Sequence, residues 1–127
     1  MGIYQGSPRR TKTSKKLKPF RKKKKFQMGR LPTETELGER TVKVVNGRGN
    51  TSKQRLARDQ YVNVSDENGT TKHLKILKVL ENPSSVDYNR RGVITKGCII
   101  KTESGNVRVT SKPGANGIIS AVFIKEQ

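Results

Sequence analysis

The chain has 127 residues, of which 28 are Lys or Arg and 10 are Asp or Glu; its net charge is +18 and only 30% of its residues are hydrophobic. That length permits one modest core, and that charge requires a polyanionic partner: nucleic acid, an anionic membrane surface or an acidic protein. With a single cysteine, Cys98, no intramolecular disulfide can form, and no apolar run approaches the roughly 18 residues a membrane span needs.

Residues 1–33 hold twelve of the cations: Arg9, Arg10, Lys12, Lys15, Lys16, Lys18, Arg21, Lys22, Lys23, Lys24, Lys25 and Arg30. The first carboxylate is Glu34. Leu17, Phe20, Phe26, Met28 and Leu31 are too few and too scattered to offset the ordering entropy of this stretch, so it reads as an arm whose counter-charge comes from a ligand. Pro8, Pro19 and Pro32 each bias the preceding residue toward extended backbone. The arm is therefore expected to run extended, with at most a helical turn near Lys22 to Gln27. Met1-Gly2 resembles an acylation start, but Gly6 stands where that signal needs Ser or Thr, so no lipid anchor is expected. Tyr4, Phe20 and Phe26 are placed among the cations, where their rings can stack on bases beside phosphate contacts or dock onto the folded domain or a neighbouring protein.

Composition changes at Thr33 to Glu39, where three carboxylates follow an acid-free run. A boundary here gives an arm of residues 1–33 and a domain of residues 34–127, the latter still basic, with sixteen cations and ten acids. Beyond it, short alternating segments are separated by turn signals. Val42-Lys43-Val44 precedes Asn46-Gly47, Tyr61 to Val64 precedes Asn68-Gly69, and Leu74 to Leu80, Ile99-Ile100, Val107 to Val109 and, after Asn116-Gly117, Ile118 to Ile124 follow. Period-two alternation reads as strand, and the Asn-Gly pairs read as hairpin turns because both residues tolerate positive φ. The fold class is all-β: a small closed or nearly closed barrel of about six strands. One short helix is expected at Val86 to Arg91, after Asn82-Pro83-Ser84-Ser85 and before Gly92. Arg90 and Arg91 in its last turn suit the helix dipole and can equally grip a phosphate.

Tests for chemistry fail. Gly92 to Gly97 has P-loop glycines but is followed by Cys98-Ile99 instead of Lys-Ser/Thr, and Gly47-Arg48-Gly49 lacks the third glycine of a dinucleotide site. His73 is the only histidine, the carboxylates show no paired-acid motif, and Cys98 among Ile and Gly reads as a buried thiol. No catalytic residue, metal or cofactor is assigned. The basic loop Asn46 to Asn50 with Arg48, followed by Lys53, Arg55 and Arg58, reads as a second RNA contact, because Lys53 and Arg55 would share a strand face.

Several segments together resemble a known family, the small-subunit ribosomal proteins called S-eight-e of archaea and eukaryotes, in its archaeal form. They are Gly6 with Arg9-Arg10, Lys22 to Arg30, Glu39 to Val44, the Gly-Arg-Gly-Asn loop before Arg55 to Arg58, Glu81-Asn82-Pro83, Arg90-Arg91 with Ile94 to Gly97, and Val109 to Gly114. Thr13-Ser14-Lys15-Lys16 departs from the family's usual Thr-Gly-Gly and basic residue, which bears on the backbone path of the arm. The resemblance implies a β-barrel bound to small-subunit ribosomal RNA in the cytoplasmic ribosome. Neighbouring small-subunit proteins would be partners, and neither membrane, small-molecule substrate nor enzymatic activity is implied. Arg40 and Lys112 lie in the matched segments and complete the candidate RNA-binding set. A chromatin-type nucleic-acid binder and an RNA-processing enzyme are the competing readings.

Overall fold

A β-strand with one face buried must alternate apolar and polar residues, and from Glu36 onward the chain does so. The structure, a computed structural model, describes residues 3–66 and 68–124; the Met1-Gly2 pair weighed for acylation lies outside them. The chain forms two units, Met1–Pro32 and Thr33–Gln127.

In the second unit the strands are β1 (Glu36–Leu37), β2 (Thr41–Asn46), β3 (Ser52–Asp59), β4 (Tyr61–Ser65), β5 (Thr71–Glu81), β6 (Ile99–Thr102), β7 (Gly105–Val109) and β8 (Ser120–Phe123). Helix α1 (Val86–Arg91) follows β5, and α2 (Pro113–Asn116) follows β7. The expected barrel is present but closes with five strands, in the order β4-β5-β6-β7-β8; β1, β3 and β2 form a separate three-stranded sheet. Neighbours around the barrel are antiparallel until the seam, where β8 pairs parallel with β4, Val64 opposite Ala121. Closure removes the exposed edges that so short a sheet would otherwise present.

Inward positions converge on one core: Val62 and Val64 from β4, Ile76 from β5, Ile100 from β6, Val107 and Val109 from β7 and Ala121 from β8, with Leu56, Ile94, Cys98 and Ile119 sealing the ends. Each fully buried aliphatic side chain contributes on the order of 1.5–3 kcal/mol. Buried polar groups are satisfied. The Thr35 hydroxyl donates to the Leu56 carbonyl at 2.8 Å, and the Asn82 amide donates to the Val93 carbonyl at 2.7 Å while its oxygen accepts from Ser84 N and Thr95 Oγ1. Burial also raises the Cys98 thiol above its ordinary pKa, as expected of a structural cysteine.

The turn signals divide. Asn46-Gly47 and Asn68-Gly69 lie in the β2–β3 and β4–β5 hairpins as expected. Asn116-Gly117 does not: it ends α2, a helix the alternation pattern gave no hint of, with Gly117 at φ 75 as its left-handed cap. A Cβ on Gly117 would stand 2.9 Å from that of Gln54, so the position accepts only glycine if α2 is to pack on β3. Helix α1 spans the expected residues and stops at Gly92 (φ 68), but its N-cap is Ser85; Asn82 serves the preceding turn instead.

The first unit departs from the extended arm expected of it. Its described residues form no strand and only a 3-10 turn, Lys25–Gln27, within the segment where a turn was expected. Yet its ends return to one another: Gln5 N donates to Gln27 O at 2.8 Å and Gly29 N to Ile3 O at 2.6 Å. A smaller loop closes between Arg9 and Leu17, with Ser14 at φ 64 and the Arg10 guanidinium on the Ser14 carbonyl at 2.9 Å. Ser14, in the segment noted above as departing from the family resemblance, takes the left-handed conformation that glycine adopts without strain. The prolines restrict only their own neighbours; the turn at Ser14 and the 3-10 turn bend the chain between them.

Candidate nucleic-acid interface

The β2–β3 hairpin carries five of the sixteen cations of the second unit, Lys43, Arg48, Lys53, Arg55 and Arg58. Register places Lys43 directly opposite Arg55, and Val45 opposite Lys53. Residues paired in this way point to the same side, so Lys43, Lys53 and Arg55 form one face. Strict alternation would turn Arg58 to the other side. It does not, because Thr41 lies opposite Arg58 while Val42 lies opposite Leu56, leaving Ala57 as an extra residue. This bulge shifts the parity of the strand: Leu56 and Asp59 both become buried, and Arg58 joins the outer face.

On the opposite face α2 packs at Gln54 and Leu56 joins the core, while Val44 stays exposed. The outer face stays open, and two like charges directly across a strand pair repel each other in the free protein. Arg58 lies 3.7 Å from Glu36, whereas no described carboxylate pairs with Lys43, Arg48, Lys53 or Arg55. Arg48 stands at the hairpin tip, where its carbonyl accepts from Thr51 Oγ1 at 2.8 Å and shapes the loop. The face can thus present four cations to successive phosphates. Lys43 was absent from the candidate set, since the period-two pattern puts it on a strand face but only the register shows that this is the face of Arg55.

Other candidates are placed differently. Arg40 is paired with Asp59, whose carboxylate is 2% exposed and also accepts from Gln60 N and Tyr61 N, so Arg40 anchors the β1–β2 connection to the end of β3. Arg90 and Arg91 both grip Asp87, at 2.9 and 3.0 Å, and Arg91 also donates to Glu34 at 2.6 Å. Arg90 and Arg91 hold the Asp87 carboxyl below its usual range, and Arg91 does the same for Glu34, while these acids raise the Arg91 pKa further. Helix α1 therefore offers a neutralised cation pair and not two free ones. Lys112 is exposed at the N-cap of α2.

In the first unit Arg9, Arg10, Lys12, Lys15, Lys16, Lys18, Phe20, Arg21, Lys22, Lys23, Lys24, Lys25 and Arg30 are all exposed, and no described residue is buried. The unit contains no carboxylate of its own. Its rings sit among cations: the Arg21 guanidinium lies 4.9 Å from the Phe20 ring centre and 5.9 Å from that of Phe26, and Lys23 Nζ lies 5.5 Å from Tyr4. Such contacts hold each ring beside a positive charge without using the charge up.

No group of three or more His, Cys, Asp or Glu side chains among the described residues could hold a metal. His73 stacks on Tyr61 with ring centres 4.9 Å apart and is hydrogen-bonded to Asn63, a surface arrangement with no nucleophile beside it.

Comparison with known proteins adds independent support. The family model described as Ribosomal protein S8e matches residues 4–124. The chain is similar to the small ribosomal subunit protein eS8 of Nanoarchaeum equitans, 45% identical over 96% of this chain and 97% of the relative. The proteins of the same name from Hyperthermus butylicus and Methanococcus aeolicus are each 44% identical, over 100% and 99% of this chain and 96% and 100% of the relatives.

Proposed function

The chain belongs to the ribosomal protein S8e family, and from that premise we propose how its two basic surfaces serve its place in the ribosome. It is a structural, non-enzymatic component of the small ribosomal subunit, located with the cytoplasmic ribosome and associated with ribosomal RNA and other small-subunit proteins. The competing chromatin-type and enzymatic readings have no support from this family.

On this reading the arm, residues 1–33, neutralises RNA phosphates along its length, and the Lys43, Arg48, Lys53, Arg55 and Arg58 face of the domain, residues 34–127, supplies a second, rigid contact. The observation that carries it is the asymmetry of charge: twelve cations without an acid in the arm, and an open sheet face whose like charges lie directly opposite each other. Both arrangements are unfavourable in the free protein and are relieved by a dense polyanion. Arg40 and the α1 arginines, already paired with acids, organise the domain.

Titration of the free protein with small-subunit ribosomal RNA at several salt concentrations tests this. If about eight to ten phosphates are neutralised, log K falls against log salt with a slope of about −6 to −9. A flat dependence would refute the phosphate-dominated reading.

A further inference from the structure

None of the described residues of the first unit is buried, yet they line a concavity of about 410 Å³. Tyr4, Pro8, Leu17, Pro19 and Phe20 give it an apolar lining, and Arg9, Lys16, Lys18, Arg21 and Lys23 line it as well. A volume of a few hundred Å³ is that of a small-molecule site and not of a groove for a helix or strand. The lining thus combines five cations with aromatic and prolyl side chains and contains no carboxylate.

The shape is specific. The ring of Tyr4 lies so close over Gly6 that a Cβ there would stand 2.2 Å from its hydroxyl oxygen, so a side chain at Gly6 would displace the ring. Lys23 and Arg21 sit by the Tyr4 and Phe20 rings, which places a cation beside each aromatic surface that lines the cavity. Phe20 is 89% exposed, an unfavourable position for a phenyl ring unless something covers it.

We infer that this cavity receives an unstacked nucleobase of single-stranded RNA, stacked against Tyr4 or Phe20 while the surrounding cations hold the flanking phosphates. The inference rests on the RNA-binding reading above and goes beyond it, because it assigns base recognition to an arm whose charge alone requires only phosphates. A base meets both requirements of the cavity, since it is flat and apolar on its faces and is tethered to the anionic backbone that the cations of the lining select. It also supplies the packing that the arm lacks, which makes the closed loop of residues 3–29 the state that RNA stabilises.

The test uses the intact chain with two short single-stranded RNAs of equal length and charge, one normal and one with its central bases removed to leave an abasic backbone. The normal strand should bind about tenfold more tightly, as expected for one base stacked on an aromatic side chain, with the same salt slope for both. Phe20→Leu, Tyr4→Leu and Gly6→Ala should each reduce that preference while leaving the slope unchanged. A normal strand carrying the fluorescent base 2-aminopurine should show quenched emission on binding. Equal binding of the two strands would overturn the cavity assignment and leave the phosphate reading standing. Failure of both strands to bind would remove the assignment together with the reading beneath it.

Discussion

The arm and the barrel answer the same problem, a surplus of positive charge, in opposite ways. The barrel places its cations on a scaffold whose geometry is set by an apolar core of Val62, Val64, Ile100, Val107 and their neighbours, and it balances several of them internally, as in Arg40 with Asp59 and Arg91 with Glu34 and Asp87. The arm has neither core nor counter-charge. Its fold rests on a few backbone hydrogen bonds between residues 3–5 and 27–29 and around Ser14, all near solvent, which puts it at the low end of local stability. Charge can therefore be carried rigidly, at a cost met by hydrophobic burial, or loosely, with ordering left to the partner.

The largest test of this contrast is to divide the molecule. Deleting residues 1–32 removes twelve cations but, among the described residues, no buried side chain, so a cooperatively unfolding β domain should remain while RNA affinity falls by orders of magnitude and the salt slope flattens. A truncated domain that cannot fold, or one that keeps full affinity and slope, would erase the distinction. Thermal or denaturant melts and binding titrations of the same sample report both.

Next in size is a matched pair of truncations. Ile100 is fully buried in the barrel and Leu17 is 45% exposed in the arm. Ile100→Ala should cost about 2–5 kcal/mol of global stability, whereas Leu17→Ala should change it by no more than about 0.5 kcal/mol. Equal costs in denaturant melts would show that the arm completes the domain core.

A smaller effect sharpens the comparison within the domain itself. Lys43→Gln with Arg55→Gln should weaken RNA binding several-fold and reduce the magnitude of the salt slope by about 2, without loss of stability, because opposed like charges are relieved. Arg40→Gln should do the reverse, losing stability by exposing the buried Asp59 to an incomplete set of partners and changing the slope little. If Arg40→Gln altered RNA binding more than the double substitution did, the division into paired and open cations would be wrong.

Much of this molecule was legible in its residues because the signals are local. The composition change after Pro32, the alternating strands, two of three Asn-Gly turns and helix Val86–Arg91 depend on near neighbours along the chain, and so does the identification of the arm as the main basic element. What required tertiary structure is what depends on pairing between distant residues. The parallel seam of β4 with β8, the separation of β1-β3-β2 from the five-stranded barrel, and the bulge at Ala57 that turns Arg58 outward are choices of partner and pairing, and a pattern of period two tells which face a residue takes but not which distant residue stands opposite it. For the same reason Lys43 could be placed on a strand from its neighbours but not opposite Arg55. Asn116-Gly117 shows the converse limit, since a dipeptide that permits positive φ caps a helix as readily as it turns a hairpin, and the packing of α2 against Gln54 decides between them. The arm's charge is written in its sequence; its return path is settled by the contacts of Ile3 and Gln5 with Gly29 and Gln27, residues far apart in the chain, and by the left-handed backbone of Ser14, which composition does not register.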